Sequence, residues 1–301
     1  MTGLSALVKR NTKLYFKDKG MFFSSLITPV ILLVLYATFL KKVYDDSFRS
    51  ALSAAGATVS DAVLNGCIGG QLASSLLAVS CVTVAFCSNL LMIKDKTSGA
   101  RHDLVITPVK PGTMALGYYL STLVSTLIIS FTATAVCLGY IAAVGWYMSV
   151  ADILMLILDV FLLSMFGTAL SSCINFFLST DGQASAVGTI VSAGYGFICG
   201  AYMPISNFSE GLQKVLSFFP GTYGTSLVRN HLMRGAFAEM KEQGFPDEVL
   251  IGIRDSVDCN IYFFGKNVDI GTMYAILGGS ILLLIGIYVV MNIISSRRHA
   301  R

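Results

Sequence analysis

The sequence predicts an all-α membrane protein with six transmembrane helices. Of its 301 residues, 54% are hydrophobic and 13% are charged, whereas a soluble domain carries about 25% charged residues. Crossing about 30 Å of hydrocarbon takes roughly 20 apolar residues, and six runs are long enough. The runs are continuous rather than alternating, so they indicate helices and not the strands of a membrane barrel. They cover residues 21–40, 64–92, 114–140, 153–178, 184–202 and 272–294.

Residues 1–20 are predicted to form an amphipathic helix at the membrane surface. Apolar residues, including Leu4, Leu7, Val8 and Tyr15, recur there at helical spacing. The apolar run that follows is longer than the 7–15-residue core of a signal peptide and has no small-residue cleavage site after it. We therefore expect a connecting helix over 1–20 and a six-helix transmembrane domain over 21–301. The other faces of the first helix carry Lys9, Arg10, Lys13 and Lys17.

The distribution of basic residues predicts the topology. The two termini and the loop 93–113 hold twelve Lys and Arg residues, while the short opposing loops 41–63 and 146–150 hold three. Cytoplasmic loops carry the excess of positive charge. We therefore expect both termini, including Arg297, Arg298 and Arg301, and the loop 93–113 on the cytoplasmic side.

The first two apolar runs carry features that affect helix geometry and packing. Pro29 removes one backbone donor inside the first run, which predicts a mild kink. Small residues allow close contact between helices in lipid, so the second run is expected to pack against another helix or another subunit. These small residues are Gly69, Gly70, Ala73, Ser74 and Ser75.

The loop 93–113, named the coupling loop below, is the strongest candidate for a docking surface. It is too short to form a domain and too charged to lie in lipid. Charged residues of both signs surround a compact apolar edge, Leu104, Val105 and Ile106. Arg101 and Asp103 are the residues we expect to make polar contacts with a partner.

The segment 203–270 is predicted to lie outside the membrane. Pro204 and Pro220 bound a short amphipathic stretch that is too brief to span, which suggests an element that re-enters the outer leaflet. The charged residues of 237–268 predict a small external cap.

Asp159 lies in the middle of the fourth apolar run. A central Asp costs about 2.5–3.5 kcal/mol for insertion, while each Leu, Ile, Phe or Val returns about 0.3–0.6 kcal/mol. Ten such residues lie between 153 and 166, so the run still inserts. An acid at this depth lines a pathway, carries a proton, pairs with a neighbouring helix or accepts a hydrogen bond from a Ser or Thr. We expect no second ionisable group beside it, which argues against a proton-driven transporter.

Three stretches in order resemble the membrane subunit of an ABC transporter of the ABC-2 (type V) class, and together they extend over nearly the whole chain. The first is Arg10, Tyr15-Phe-Lys-Asp18 and the proline-bearing run behind it. The second is Thr97-Ser-Gly99, Leu104 and Thr107-Pro108-Val109. The third comprises Gly200, Met203-Pro204-Ile205, Phe219-Pro220, Tyr223-Gly224 and Arg229. Two departures are Asp95, where many relatives carry Glu, and the long insertion at 237–268.

The resemblance implies a permease subunit in a bacterial cytoplasmic membrane, with no catalytic residue, metal or cofactor of its own. ATP and Mg would bind to two copies of a separate ATPase, and a second permease half, identical or homologous, would complete the pathway. Membrane lipid would surround the helices, and no nucleic acid is expected as a partner. By this resemblance, the residues that couple to the ATPase are Asp95, Thr97, Gly99, Arg101, Asp103, Leu104 and Pro108. The characteristic residues of the connecting helix are Arg10, Tyr15 and Asp18. Those of the re-entrant segment are Gly200, Pro204, Pro220, Tyr223 and Arg229.

Two other classes of function stay open at this point. The first is a self-contained secondary transporter or membrane enzyme that uses Asp159. The second is a regulatory or immunity membrane protein without an ATPase partner. The sequence contains no phosphate-loop motif, so any ATP-driven activity would need a separate ATPase. The nearest approach to a phosphate loop, Phe264-Gly-Lys-Asn267, lacks its glycine spacing and its hydroxyl.

Overall fold

The computed structural model describes residues 2–54 and 59–299. Arg301 and residues 55–58 of the predicted outer loop lie outside the described residues. In the described part helices predominate, and two short strands pair in one antiparallel hairpin. The elements are α1 Thr2–Lys17, α2 Lys19–Leu35, a π-helical segment Tyr36–Leu40, α3 Lys41–Ala54, α4 Asp61–Thr97, α5 Ala100–Val105, α6 Pro111–Val144, α7 Val150–Phe176, α8 Asp181–Ile198, a 3₁₀ turn Ile205–Asn207, α9 Glu210–Leu216, α10 Pro220–Glu242, α11 Asp247–Ser256, β1 Tyr262–Phe263, β2 Lys266–Asn267 and α12 Ile270–His299.

Five helices of the described chain are long and apolar enough to cross a membrane, so the prediction of a multi-pass helical membrane protein is confirmed. They correspond to five of the six predicted runs. The other run, 184–202, falls on α8, which is not among the five. With 18 residues, α8 is about 27 Å long at 1.5 Å per residue. It begins with polar residues, Asp181-Gly-Gln183, and is rich in glycine and alanine.

The helix that contains the first apolar run is longer than predicted. The residues 41–54, expected to begin an outer loop, form α3 and continue α2 through the π-helical segment. An ion pair within α3 stabilises this continuation, because Arg49 Nε lies 3.0 Å from Asp45 Oδ1 one turn earlier. Arg49 also reaches Asp61 at the start of α4, at 2.8 Å. Pro29 lies inside α2, and the irregular backbone occurs about two to three turns later, in the π-helical segment.

The central helix of the bundle is α4, which packs against α2, α6, α7, α8 and α10. Its small residues make this close packing possible. A Cβ on Gly70 would lie 3.1 Å from the carbonyl oxygen of Leu232 in α10. A Cβ on Gly167 of α7 would lie 2.9 Å from the Cα of Val82 in α4. The small residues predicted to pack against a helix or a subunit thus contact helices of the same chain.

The helix α10 lies in the core, although the sequence places 203–270 outside the membrane and starts an external cap at 237. Tyr223, Leu227, Val228 and Phe237 are among its many buried apolar residues. Arg229, Asn230 and His231 stand between them and lower the average hydropathy, which explains why no apolar run was recognised. The segment 237–268, predicted to form a cap, therefore contains the end of α10, all of α11 and the hairpin. The short helix expected between Pro204 and Pro220 is α9.

Gly167→Ala tests the close contact of α7 with α4. We expect a loss of about 1–3 kcal/mol in the free energy of unfolding, because the added methyl group meets backbone atoms that cannot turn aside. Gly139→Ala in α6 is the matched control, since its Cβ would meet nothing within 4 Å, and it should be neutral or stabilising. Thermal unfolding of both variants in detergent measures the difference. Equal midpoints would show that α4 and α7 are farther apart than described.

Candidate functional site

The coupling loop combines three local structures at one end of the bundle. Its first residues form the last turn of α4, and Gly99, with a φ of 81°, then reverses the chain into α5. A left-handed φ of this kind favours glycine. The loop ends in an extended stretch before Pro111, the first residue of α6. The coupling loop thus consists of a short helix, α5, that connects the end of α4 to the start of α6.

Three consecutive charged residues attach the end of α4 to four other parts of the chain, which are α1, the start of α2, α6 and the end of α7. Lys94 forms an ion pair with Asp18. Asp95 binds Arg10 of α1 at 2.7 and 3.1 Å and accepts a hydrogen bond of 2.6 Å from Tyr118 of α6. Lys96 Nζ donates to three carbonyl oxygens where α7 ends, those of Asn175, Phe176 and Leu178, at 3.2, 2.6 and 2.7 Å.

Asp95, one of the predicted coupling residues, does not lie on the exposed side of the coupling loop. The residue is only 4% exposed, because α4 continues as a helix to Thr97 and turns this side chain toward α1 and α6. A docked protein could not contact it. Asp95 instead holds the connecting helix against the base of α4 and α6.

The remaining predicted coupling residues divide between inward and outward positions. Leu104 is partly buried against the apolar cluster around Met92 and Met114. The guanidinium of Arg101 lies 6.0 Å from the ring centre of Phe176. The outward residues surround an apolar edge in which Val105 is 47% and Ile106 73% exposed. The predicted coupling residues on this exposed side are Thr97, Gly99, Asp103 and Pro108.

The helix α1 packs along α6 with one buried face, formed by Leu7, Asn11 and Tyr15. The hydroxyl of Tyr15 donates to Ser25 Oγ of α2 at 2.6 Å, so the connecting helix is fastened to the helix that follows it. Asp18 caps the start of α2 by accepting from the amide of Met21 at 3.1 Å. The hydrogen bond from Lys94 lowers the pKa of Asp18, and the Met21 amide adds to this effect. Asp18 is therefore ionised at neutral pH.

Asp159 is not alone, contrary to the expectation from sequence. Its side chain is fully buried, with Oδ2 at 2.6 Å from Nδ1 of His231 in α10. The hydroxyl of Tyr274 in α12 donates to Oδ1. Three helices meet at this carboxylate, whose partners are a His and a Tyr rather than the Ser or Thr considered above. The sequence concealed His231 because α10 was placed outside the membrane.

A second ion pair joins α7 to α10 near the start of α7. Nε of Arg234 lies 2.6 Å from Oδ1 of Asp152. Asp152 also completes a capping box with Ser149 at the start of α7. Arg234 follows His231 by three residues, so both residues project from the same side of α10.

Arg229 is buried in the core and binds residues on both sides of the predicted re-entrant stretch. Its fully buried guanidinium donates to the carbonyl oxygen of Gly200 at 2.9 Å, and Nη1 lies 3.4 Å from Oδ2 of Asp258. Asp258 also accepts from the amides of Ile205 and Ser206, at 2.6 and 3.2 Å. Two of the five predicted residues, Gly200 and Arg229, are therefore in direct contact. Of the others, Pro204 precedes the 3₁₀ turn, Pro220 begins α10, and Tyr223 donates to the carbonyl oxygen of Ser217.

An open groove of about 1070 Å³ runs between α2 and α8. Its walls are largely apolar, with Lys94 and Asp181 at one end and Phe197 and Tyr202 at the other. Hydroxyl groups interrupt the apolar wall at intervals, and they belong to Ser24, Thr28, Ser185, Thr189 and Ser192.

A family model described as "ABC-2 family transporter protein" matches residues 64–297, well over half of the chain. The matched region begins within α4 and extends into α12, so it includes the coupling loop, the groove face of α8 and the ion pairs of α10 with Asp152, Asp159 and Asp258. The match confirms the resemblance inferred from the sequence. No curated protein matches the chain.

The Asp159–His231 pair is testable by a double-mutant cycle. Asp159→Ala and His231→Ala should each lower the free energy of unfolding by about 1–2 kcal/mol, since each leaves its former partner without a counterpart. The double variant should be less destabilised than the two single effects added together, by about 1 kcal/mol. Thermal unfolding in detergent provides the measurement.

Leu158→Ala is the control for that cycle, because this neighbouring side chain is 41% exposed and has little packing to lose. It should be close to neutral. Strict additivity of Asp159→Ala and His231→Ala would show that the two side chains do not interact.

Proposed function

The chain belongs to the ABC-2 family of transporter proteins, and from this we propose that it is the membrane-spanning permease subunit of an ATP-driven exporter. ATP and Mg would be bound by a separate ATPase, present in two copies. The residues that come nearest to a phosphate loop in sequence, 264–267, lie in the turn and second strand of the hairpin. The site favours a subunit that receives motion from a partner rather than one that hydrolyses ATP.

The single observation that carries this proposal is the set of attachments made by Lys94, Asp95 and Lys96. A small exposed helix, α5, is joined through these residues to α1, to the start of α2, to α6 and to the end of α7. A partner that pushes on α5 would therefore move several long helices at once. The apolar edge formed by Val105 and Ile106 supports a protein contact, because exposed apolar residues surrounded by polar ones are typical of interfaces.

The groove between α2 and α8 is the proposed route for the substrate. Its largely apolar wall with spaced hydroxyl groups fits a hydrophobic or amphiphilic molecule, such as a lipid, a lipid-linked glycan, a drug or a peptide. The groove is open along one side, and a second permease half, identical or homologous, would close it. We place the assembly in a bacterial cytoplasmic membrane, with both termini on the cytoplasmic side.

A second candidate function, a proton-coupled transporter without an ATPase, is favoured by one observation. Such a mechanism needs several ionisable groups to converge inside the membrane, and Asp159, His231 and Tyr274 do converge. Asp159→Asn separates the two functions. An ATP-driven exporter should keep most of its transport, because Asn still accepts a hydrogen bond from Tyr274. Loss of transport by Asp159→Asn, together with transport by the parent chain in the absence of any ATPase subunit, would favour the proton-coupled mechanism.

The ATPase partnership is tested by Ile106→Asp in tagged chain purified from its native membrane in mild detergent. We expect the parent chain to co-purify with a subunit that contains a phosphate-loop motif and hydrolyses ATP. A charge placed in the exposed apolar edge should remove that subunit while membrane insertion is retained. The matched control is Ile251→Asp in α11, which is 51% exposed and lies outside the coupling loop.

The two variants decide between the outcomes. Retention of the ATPase subunit by Ile106→Asp would show that α5 is not the docking surface. The absence of any such subunit from the parent chain, also after cross-linking, would contradict the exporter proposal itself.

Lys96→Gln tests the transmission of motion rather than docking. Removal of the ammonium group weakens the attachment of α4 to the end of α7 by about 1.5–3 kcal/mol, which is about tenfold or more in an equilibrium constant. The ATPase subunit should still co-purify and hydrolyse ATP, while transport per ATP falls. Lys110→Gln, an exposed lysine of the same loop, is the control and should transport normally. Equal coupling ratios in the two variants would exclude this role for Lys96.

A further inference from the structure

Three phenylalanines form an exposed cluster, named the aromatic tip, beside the start of α12. Phe218 follows α9, and Phe263 and Phe264 belong to the hairpin. The three ring centres lie 4.9–5.9 Å apart. The side chains of Phe218 and Phe264 are 64% and 61% exposed. Aromatic rings normally contribute to a core, so a cluster that remains open indicates contact with something outside the chain.

The hairpin turn holds one of these rings in an unfavourable backbone conformation. Phe263 pairs with Lys266, which leaves Phe264 and Gly265 as the two turn residues, with φ angles of 48° and 81°. Two successive positive φ angles are typical of a type I′ turn, in which Asn-Gly is the preferred sequence. A bulky residue rarely adopts such a φ. Phe264 gains little from the core in return, so its presence points to a function for the exposed ring.

The aromatic tip lies at the end of the bundle where two membrane helices begin. Tyr274, in the second turn of α12, contacts Asp159 of α7, and Leu284 further along α12 accepts from Cys173 further along α7. The two helices therefore run in parallel and start at the same end. Trp146, which is 42% exposed, lies in the connection just before α7. Aromatic side chains at both positions fit the belt that membrane proteins place at the boundary of hydrocarbon and headgroups.

The residues around the aromatic tip extend this apolar surface and flank it with positive charge. The helix α9 exposes Leu212 and Val215, which are three residues apart and so lie on one face, and the exposed Phe218 follows the helix. Lys266 pairs with Phe263 in the hairpin and Lys214 precedes Phe218 by four residues, and both lysines are exposed. A long basic side chain at such a position can reach headgroup phosphates while its stem stays in apolar surroundings. The carboxylate of Asp269 is occupied by Thr272 at the start of α12.

We propose that the aromatic tip, with Lys214 and Lys266, is an anchor in the lipid interface, with its rings between the headgroups and the upper acyl chains. The partner is phospholipid rather than protein because the surface continues into α12, which exposes Leu282 and Leu283 in a segment able to span the membrane. The hydroxyl of Tyr262 donates to Asp255 of α11, so the anchor also fixes the external cap at the membrane surface. This inference does not depend on the substrate or on the ATPase.

A single-tryptophan reporter tests the anchor. Trp146 is the only tryptophan of the chain, so Trp146→Phe gives a silent background for Phe264→Trp. The full chain is reconstituted in nanodiscs of phosphatidylcholine and phosphatidylglycerol that contain lipids brominated at a shallow or a deep acyl carbon. We expect blue-shifted emission that shallow bromine quenches at least twofold, and more strongly than deep bromine does.

Two further reporters calibrate the measurement. Leu282→Trp in α12 should be quenched more strongly by deep bromine, and Glu248→Trp on the exposed side of α11 should emit at long wavelength without quenching. Phe218→Trp repeats the test at a position of ordinary backbone conformation, in case the strained turn does not accept tryptophan.

The outcomes decide the proposal. Emission of the aromatic-tip reporters that matches Glu248→Trp would show that the rings face water. Blue-shifted emission without bromine quenching would show that another polypeptide covers them. Either result would overturn the lipid anchor.

Discussion

The structure depends on the requirement that polar groups buried among membrane helices find partners in the protein, because hydrocarbon offers none. The helix α10 supplies three side chains to such pairs. Its Arg229 binds the carbonyl of Gly200 and Asp258, His231 binds Asp159 of α7, and Arg234 binds Asp152. Because these partners belong to α7, to the residues that follow α8 and to the residues that follow α11, one buried helix fixes the relative positions of these parts, and of α12 through the shared carboxylate.

The coupling loop applies the same principle at the opposite end. Lys94, Asp95 and Lys96 are adjacent in sequence, yet their contacts diverge toward the start of α2, toward α1 and α6, and toward the end of α7. The two ends are connected by α4, which contacts Arg229 through Ser75 at 3.5 Å and reaches Lys96 after about 30 Å of unbroken helix. A rod of this kind, buried along most of its length, transmits a displacement with little bending because packed interiors deform little.

Hydropathy alone was sufficient to predict five of the spans, the connecting helix and the coupling loop, because each is a local pattern of apolar and charged residues. It was not sufficient for α10, whose interleaved Arg229, Asn230 and His231 lower the average over any window. Hydropathy also could not identify the partners of Asp159, since they lie 72 and 115 residues away in sequence. One physical signal was nevertheless present. A buried carboxylate needs a hydrogen-bonding or cationic partner. The segment of α10 offered such partners, Arg229 and His231, among otherwise apolar residues. The inward orientation of Asp95 could not be predicted either, because it follows from how far α4 extends as a helix.

The attachments also indicate which parts move relative to each other. The start of α2 is fastened to the coupling loop by Asp18 and Lys94 and to α1 by Tyr15. The end of α8, in contrast, is fastened to α10, where Thr222 donates to the carbonyl of Ile198 at 3.4 Å and Arg229 binds Gly200. In the proposed exporter, a force applied at α5 would therefore displace the wall of the groove formed by α2, while the wall formed by α8 stays attached to α10 at the end of α8. Such unequal attachment converts a push at the coupling loop into a change in groove width, which is the motion that the proposed exporter requires.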